Sequence, residues 1–283
     1  MTGFEIYMKA NKMADNTIRI YNNAVELLHN YVQKADNEIT TQDVLSWIAN
    51  MDKLSGATVN QRLAGIKAYF AYLEMVGEVE KNVTEKIKPP KVEHKEKPYP
   101  EAEVIRKMIN VTGNTRDKAF IYTLASTGMR FSEISSITVG QYRNMLGEDC
   151  REIEILGKGS KHRRVYINDE AKRYIDTYLV IRTRKLGELS DDDYLFASGL
   201  NNKLDASNSC KMVKRVARNA GYADADDVCN HWLRAAFATT QAEAGTPVTD
   251  IQAAMGHSNV QTTSLYIKHT QSRINNTMRK AVF

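Results

Sequence analysis

The sequence has few cysteines, few prolines and no long apolar run. Its three cysteines, Cys150, Cys210 and Cys229, are odd in number and scattered, with no Cys-x-x-Cys spacing. A disulfide framework is therefore not expected. The apolar runs are too short to cross a bilayer, and no apolar signal-peptide block follows Met1, so we expect a cytoplasmic protein.

Motifs for metal and nucleotide chemistry are also missing. Cys229 lies two residues before His231, but no second Cys/His pair completes a zinc-binding spacing. The sequence has no Gly-x-x-x-x-Gly-Lys-Ser/Thr phosphate-binding loop and no clustered carboxylates for two-metal catalysis. We therefore expect neither a metal ion nor a bound cofactor.

Positive charge is unevenly distributed along the chain, which has 283 residues and a formal net charge of +5. Residues 1–96 hold 12 Lys and Arg against 13 Asp and Glu, whereas residues 97–283 hold 27 against 21. The basic C-terminal part is compatible with a polyanionic partner such as a nucleic acid.

Four of the five prolines fall in one stretch, KPPKVEHKEKPYP, at residues 88–100. This stretch is charged and has few large apolar side chains, as is typical of an extended linker. We therefore predict an N-terminal domain at residues 1–87, a linker at 88–100 and a second domain at 101–283. Each domain is long enough to bury a core.

Apolar residues before the linker recur at helical spacing. Between residues 18 and 32 they are three or four positions apart, which predicts an amphipathic helix. A threonine at position 40 or 41 can cap a second helix. Ser55 or Thr58 can begin a third, which Gly77 ends. No strand pattern occurs here, so the N-terminal domain is predicted to be a small helical bundle.

The pattern after the linker is mixed. Helices are predicted at 101–110, 116–128, 170–185, 207–219, 231–245 and 247–256. Between the second and third of these, Ile153 and Ile155 alternate before a Gly-rich turn, and Val165 and Ile167 alternate after it, which predicts a β-hairpin. The predicted fold class is therefore mainly α with a small β-sheet: a helical bundle followed by an α+β domain.

Four stretches of the second domain are rich in cationic or titratable side chains. They are STGMRFSEI with Arg130, GKGSKHRR with Lys158, HWLR with His231 and Arg234, and MGHSNVQTTSLYIKHT with His257 and Tyr266. Taken singly, each has an ordinary explanation. A basic turn is usually solvated, a buried histidine can pair with an arginine, and a histidine can cap a helix.

Together, such groups can act on one phosphodiester. Two guanidiniums can each bind its non-bridging oxygens and stabilise the charge that grows there in the transition state. A tyrosine phenol, with an ordinary pKa of about 10, attacks when a base such as imidazole removes its proton. A lysine can protonate the leaving 5′-hydroxyl. The product is a covalent phosphotyrosine, and its formation needs neither ATP nor a metal ion.

In chain order, TGMRFSEI, GKGSKHRR, HWLRAAFAT and MGHSNVQTTSLYIKH resemble the active-site blocks of the tyrosine recombinases, the integrase/Xer class of site-specific DNA recombinases. The resemblance spans nearly the whole chain, and it implies a helical core-binding domain, a linker and a catalytic domain. It also implies that Arg130 and Arg234 bind the scissile phosphate and that Glu133 braces Arg130.

The remaining roles follow from the same resemblance. Lys158 is implied as the general acid, with Lys161 as the alternative if the hairpin turns differently. His231 would assist deprotonation of the nucleophile, His257 would donate a hydrogen bond to the phosphate, and Tyr266 would attack it.

The resemblance implies a C-shaped clamp around double-stranded DNA. Residues on the third helix would reach the major groove, and cations of the linker and the hairpin would meet phosphates. These candidate DNA contacts are Arg62, Lys67, Tyr69, Lys88, Lys91, Lys95, Lys97, Lys161 and Arg163.

The C-terminal tail, residues 270–283, carries Ile274 and Met278 four residues apart, with Val282 one turn further. This spacing predicts a short amphipathic helix. The tail helix either folds back on its own domain or, as the resemblance implies, docks into a neighbouring protomer of a homotetramer on two DNA sites. An accessory protein is a further partner that the resemblance allows.

The expected function is site-specific DNA recombination, either integration and excision or resolution. It would proceed through a 3′-phosphotyrosyl intermediate and a Holliday junction. Two alternatives stay open: DNA relaxation of the type IB topoisomerase kind, and a non-catalytic DNA-binding protein on the same fold.

Overall fold

The computed structural model describes residues 2–91, 102–145, 151–157 and 162–256. Contacts divide the chain into two compact units, residues 1–96 and 97–283. The predicted linker spans this division, and its residues 92–100 lie outside the described ranges.

The described part of the N-terminal unit contains four α-helices. They are α1 (Gly3–Ala10), α2 (Asp15–Val32), α3 (Thr41–Ala49) and α4 (Gly56–Val76). The first was not predicted from apolar spacing because it is short. Its start is nevertheless local in origin, since Thr2 and Glu5 form a capping box in which each side chain accepts from the other's backbone N–H.

Local capping sets the ends of α3 and α4, as predicted. The Thr40 hydroxyl accepts a hydrogen bond from the Asp43 N–H, and the Ser55 hydroxyl accepts one from the Thr58 N–H. Helix α4 ends at Gly77, whose φ of +80° is the left-handed conformation that glycine adopts without strain.

The core of this unit lies mainly between α2 and α4. Leu28, Leu63, Ile66 and Phe70 are fully buried there. Gly65 lets the two helices approach closely, because a Cβ at this position would lie 3.1 Å from the Tyr21 Cα.

The C-terminal unit is mostly helical. Its described elements are α5 (Ala102–Val111), α6 (Thr115–Thr127), α7 (Phe131–Ile134), α8 (Val139–Asn144), β1 (Glu152–Leu156), β2 (His162–Tyr166), α9 (Asp169–Leu186), β3 (Ala197–Ser198), β4 (Asn202–Lys203), α10 (Ala206–Asn219), α11 (Asn230–Glu243) and α12 (Val248–Met255). The six predicted helices and the hairpin are all present. The short helices α7 and α8 and the two-residue strands β3 and β4 were not predicted, because so few residues show no period.

Strands β1 and β2 are antiparallel, with Ile153 opposite Val165 and Ile155 opposite Arg163. Ile153, Ile155 and Val165 are buried in the main core of this unit. Helix α6 packs against both α9 and α11, and its Phe120 and Leu124 are fully buried. No helix within the described ranges is long and apolar enough to cross a membrane.

Candidate active site

Arg130 is positioned by the connection between α6 and α7. Helix α6 ends at Gly128 with φ +62°, and Arg130 is the N-cap of α7 two residues later. A Cβ at position 128 would lie 2.5 Å from a ring carbon of Phe237 on α11. Position 128 therefore requires glycine for two reasons: its left-handed backbone conformation and the close approach of α11.

Glu133, on α7, is a buried carboxylate that binds Arg130 at two points. Its Oε2 accepts from the Arg130 backbone N–H at 2.6 Å, and its Oε1 accepts from Arg130 Nη1 at 2.9 Å. The Glu133 side chain is 2% exposed and that of Arg130 is 30% exposed. The guanidinium is thus fixed from the interior while part of it faces solvent.

Arg163, on β2, binds the same carboxylate. Its Nη1 and Nη2 donate to Oε1 and Oε2 of Glu133 at 2.7 and 3.0 Å, and its Nε donates to the Ala254 carbonyl at 3.2 Å. Arg163 is one of the predicted DNA contacts, and its guanidinium is directed toward the buried carboxylate and the end of α12. The signal was in the sequence: side chains two apart on a strand share a face, and Val165 was predicted to face the core.

These contacts decide the charge state of Glu133. Burial of the carboxyl raises its pKa, but the hydrogen bonds from Arg163 and from the Arg130 backbone N–H, with the charge of Arg163, outweigh that effect. The pKa of Glu133 therefore lies below its ordinary value, and the group is ionised at neutral pH.

Arg234, on α11, reaches the same centre. Its Nη1 donates to the Gly128 carbonyl at 2.6 Å and lies 4.0 Å from Glu133 Oε2. Its Nη2 donates to the Met255 carbonyl at 2.7 Å. The side chain is 3% exposed, so these carbonyls supply hydrogen bonds that a buried guanidinium requires.

We call Arg130, Glu133, Arg163 and Arg234 the arginine cluster. Its three arginines bind three consecutive carbonyls at the end of α12: Arg163 that of Ala254, Arg234 that of Met255, and Arg130 that of Gly256, the last at 2.8 Å. The last carbonyls of a helix lack partners within it and carry its negative dipole end, so cations stabilise them. The next residue in the chain is His257.

The structure brings together three of the predicted site residues. Arg130, Glu133 and Arg234 converge in the arginine cluster, and His231 lies exposed in the first turn of α11, three positions before Arg234. Four further predicted residues lie outside the described ranges: Lys158, Lys161, His257 and Tyr266. The predicted tail helix, 270–283, lies outside them as well.

Tyr69, predicted as a groove-reading residue, is engaged inside the N-terminal unit. Its hydroxyl donates to Asp36 Oδ2 at 2.8 Å, and its ring packs edge-on against Phe4, His29 and Phe70. Burial and then the hydrogen bond to Asp36 raise the pKa of Tyr69. The phenol thus helps to pack α4 against the rest of the bundle, and the assignment of Tyr69 as a DNA contact stays a prediction.

The other predicted DNA contacts of this unit are accessible to different degrees. Arg62 and Lys67 are half-buried on α4, and Arg62 Nη1 lies 3.4 Å from Met51 Sδ. Lys88 and Lys91 are exposed, whereas Lys95 and Lys97 lie outside the described ranges. Within those ranges, no group of three or more His, Cys, Asp or Glu side chains could hold a metal ion.

Comparison with known proteins places both units. Residues 100–273 match the phage integrase family, and residues 1–77 match the phage integrase N-terminal SAM-like domain. Tyrosine recombinase XerD of Rickettsia bellii is 26% identical, and the match covers 98% of this chain and 95% of that protein. Tyrosine recombinase XerA of Pyrococcus horikoshii is 28% identical, and the match covers 98% of this chain and 92% of that protein.

The fold is also similar to a solved structure. The crystal structure of the XerH site-specific recombinase, bound to a palindromic difH substrate in a post-cleavage complex, superposes with a TM-score of 0.76. The identity is 21%, and the match covers 96% of this chain and 82% of that one. This likeness concerns the fold, and it confirms the predicted class of a helical N-terminal domain followed by an α+β domain.

Proposed function

We propose, since this chain belongs to the tyrosine recombinases of the phage integrase family, that it cleaves DNA through a covalent 3′-phosphotyrosyl intermediate. Membership makes the chain a DNA breaking and rejoining enzyme of site-specific recombination. The covalent intermediate, the residues that form it and the assembly that exchanges the strands are the proposed part.

The observation that carries the proposal is that three arginines around one buried carboxylate bind three consecutive carbonyls at the end of α12, directly before His257 in the chain. Arg130 and Arg234 come from different helices, and Glu133 lies 2.9 Å from the first and 4.0 Å from the second. Held in this way, the two guanidiniums can meet the non-bridging oxygens of one phosphate without first losing rotamer freedom. Preorganised cations at such oxygens are usually the largest catalytic contribution.

Cleavage is a single displacement at the phosphorus atom of the phosphodiester. The Tyr266 oxygen forms a bond to phosphorus, while the bond from phosphorus to the 5′-oxygen breaks. His231 assists removal of the phenol proton, and Lys158, or Lys161 in its place, delivers a proton to the leaving 5′-oxygen. His257 donates a hydrogen bond to the phosphate. The reverse step, with a 5′-hydroxyl from another strand, rejoins the DNA.

Recombination requires two DNA sites and four cleavage events, so we propose a homotetramer on two specific sites that passes through a Holliday junction. The tail at 270–283 would dock into a neighbouring protomer and couple its Tyr266 to that neighbour. The XerH recombinase complex with its difH substrate supports double-stranded DNA as the partner. An accessory protein remains part of the proposal.

A suicide DNA substrate tests this mechanism. The substrate is nicked so that the short 5′-hydroxyl fragment diffuses away after cleavage, and its sequence comes from the DNA that flanks the gene or from a selected pool. Wild type, Tyr266→Phe and Tyr166→Phe are incubated with it in EDTA without ATP. Tyr166 is exposed on β2 and serves as the matched control.

We expect a denaturing gel to show a protein–DNA adduct with wild type and Tyr166→Phe and none with Tyr266→Phe. An adduct that persists in Tyr266→Phe would refute the assignment of the nucleophile. If neither wild type nor the control forms an adduct on DNA that both bind, the protein binds DNA without cleaving it under these conditions, and the mechanism is wrong as stated. Plasmid relaxation without strand exchange would support the topoisomerase alternative.

A further inference from the structure

Arg163 links three parts of the catalytic unit that are far apart in the sequence. It belongs to β2, its Nη atoms bind Glu133 on α7, and its Nε binds the Ala254 carbonyl near the end of α12. All three kinds of guanidinium nitrogen are thus used within the protein. These contacts give Arg163 a role within the protein itself.

The end of α12 is shaped around this side chain. Gly256 has φ +65°, and a Cβ on it would lie 3.1 to 3.2 Å from Cδ, Nε and Cζ of Arg163. The carbonyl of Gly256 accepts from Arg130 Nη2 at 2.8 Å. Gly256 therefore contacts Arg163 through its Cα and Arg130 through its carbonyl oxygen.

The geometry cannot be reproduced by another cation. A bidentate pair with a carboxylate requires the planar fork of arginine, and a lysine would supply a single point of charge. Without Arg163, the buried carboxylate of Glu133 keeps Arg130 and the more distant Arg234 as its cationic partners.

We propose that Arg163 is a positioning residue that holds β2 and the end of α12 in register with Arg130 and Arg234, the proposed phosphate ligands. It acts through Glu133, whose orientation fixes Arg130, and through Ala254, from which the chain continues to His257. Lys158 lies five residues before Arg163 in the chain. One side chain thus links the strand that follows the proposed acid in the chain, the proposed phosphate ligands and the helix end that precedes His257. This inference rests on the proposed function.

The proposal has a pH signature. Among the residues that the structure describes, the charged groups that face Glu133 are Arg130 at the start of its own helix, Arg163 from β2 and Arg234 from α11. Burial raises the pKa of Glu133, and Arg163 lowers it. Removal of Arg163 therefore raises the pKa of Glu133, so that this carboxylate takes up a proton at a higher pH than in wild type. The acid side of the cleavage-rate profile then moves toward neutral pH.

Three variants separate positioning from mere stability. Arg163→Met removes the contacts, Arg163→Lys keeps the charge, and Arg164→Met removes the neighbouring exposed arginine, which pairs with Glu152 at 3.5 Å on the hairpin. Each is first compared with wild type by circular dichroism and thermal unfolding. Hydrogen exchange of residues 248–256 then reports on α12 without any DNA. Single-turnover cleavage of the suicide substrate at saturating DNA, from acidic to alkaline pH, reports on catalysis.

We expect faster exchange in α12 for Arg163→Met, together with cleavage slower on the order of 100-fold and an acid limb at higher pH. Arg163→Lys should fall between this variant and wild type, and it keeps the test valid if Arg163→Met does not fold. Arg164→Met should resemble wild type in exchange and in saturated cleavage rate.

Unchanged exchange in folded Arg163→Met, or unchanged cleavage despite faster exchange, would overturn the proposal. Wild-type behaviour of Arg163→Lys in both measurements would also overturn it, because the fork geometry would then be unnecessary. A wild-type protein that binds DNA but forms no adduct would instead refute the proposed function, and the exchange difference would still be readable.

Discussion

Two buried carboxylates of the C-terminal unit are each surrounded by arginines, and only one of them belongs to the candidate active site. Asp117 on α6 is 1% exposed, accepts from Arg116 at 2.7 and 3.0 Å and accepts from Arg215 at 2.8 Å. We call these three residues the Asp117 cluster. By local chemistry alone, this group and the arginine cluster are nearly indistinguishable.

The two clusters differ in where the remaining guanidinium nitrogens point. Arg215 is 61% exposed, and the further bond of Arg116 goes to the single carbonyl of Ala197. That arrangement joins α6, α10 and β3 at the surface. In the arginine cluster, the guanidiniums instead bind consecutive carbonyls at one helix end, and the proposed histidine and nucleophile follow in the chain. A buried carboxylate with two arginines therefore does not by itself indicate an active site. The further hydrogen bonds of the arginines distinguish the two clusters.

The largest expected difference between the clusters is in catalysis. Arg130→Ala or Arg234→Ala should slow adduct formation by about 10²- to 10³-fold, because a cation that meets the phosphate charge is lost. Arg116→Ala should leave the rate near that of wild type and lower only the thermal stability. Single-turnover cleavage at saturating DNA measures this. A comparable loss of rate in Arg116→Ala would show that the arginine cluster and the Asp117 cluster do not differ in their contribution to cleavage.

A second comparison concerns the backbone that supports the arginine cluster. Gly128→Ala should destabilise the protein by about 2–4 kcal/mol, since it adds left-handed strain to a clash with Phe237. The matched control is Gly221→Ala, where φ is +75° but nothing lies within 4 Å of the added Cβ. Backbone strain alone should destabilise Gly221→Ala by about 1–2 kcal/mol. If denaturant unfolding shows equal destabilisation of Gly128→Ala and Gly221→Ala, the contact between position 128 and Phe237 can accommodate a Cβ.

The acid sensitivity of the arginine cluster gives a third test. The pKa of Glu133 is lower in the folded state than its ordinary value, so its contribution to stability is present above that ordinary value and is lost as pH falls toward the folded pKa. Glu133→Gln should therefore lower the free energy of unfolding at neutral pH and flatten its decline below about pH 5. Denaturant unfolding across this range is the measurement. A decline as steep as that of wild type would show that other carboxyls dominate.

The smallest effect is expected outside both clusters, at Tyr69. Tyr69→Phe should cost about 1 kcal/mol of stability, the usual value of one hydrogen bond, and leave DNA affinity unchanged. Lys67→Met, on the same helix, is the comparison and should weaken DNA binding in a salt-dependent way. A loss of affinity in Tyr69→Phe would show that the Tyr69 hydroxyl contributes to DNA binding.

Much of the fold could be predicted because its signals are local. Helix α4, its Ser55 cap and its Gly77 end follow from neighbouring residues alone, and so do the alternating apolar residues of the hairpin. Two features that were not predicted also have local signals. The capping box of Thr2 and Glu5 marked α1, and strand alternation placed Arg163 on the inner face.

The composition of the candidate site was predictable, but its internal bonding was not. Resemblance placed Arg130, Glu133 and Arg234 in one site, and the structure brings them together. The bond from Arg130 to the Gly256 carbonyl joins residues 126 positions apart and involves a backbone atom that every residue possesses. No pattern of side chains encodes such a contact, so the sequence could not predict which groups hold the guanidiniums in place.

Recognition of backbone oxygens has a practical consequence for labelling this protein. Arg163 binds the carbonyl of Ala254, whereas the residue itself is exposed. Its methyl group can therefore be exchanged without removing the contact. In a background without the three native cysteines, Ala254→Cys would carry a fluorophore directly beside the arginine cluster. Such a probe would report the arrival of DNA and the movements of α12 in real time, from a position where the label replaces no group that the chemistry uses.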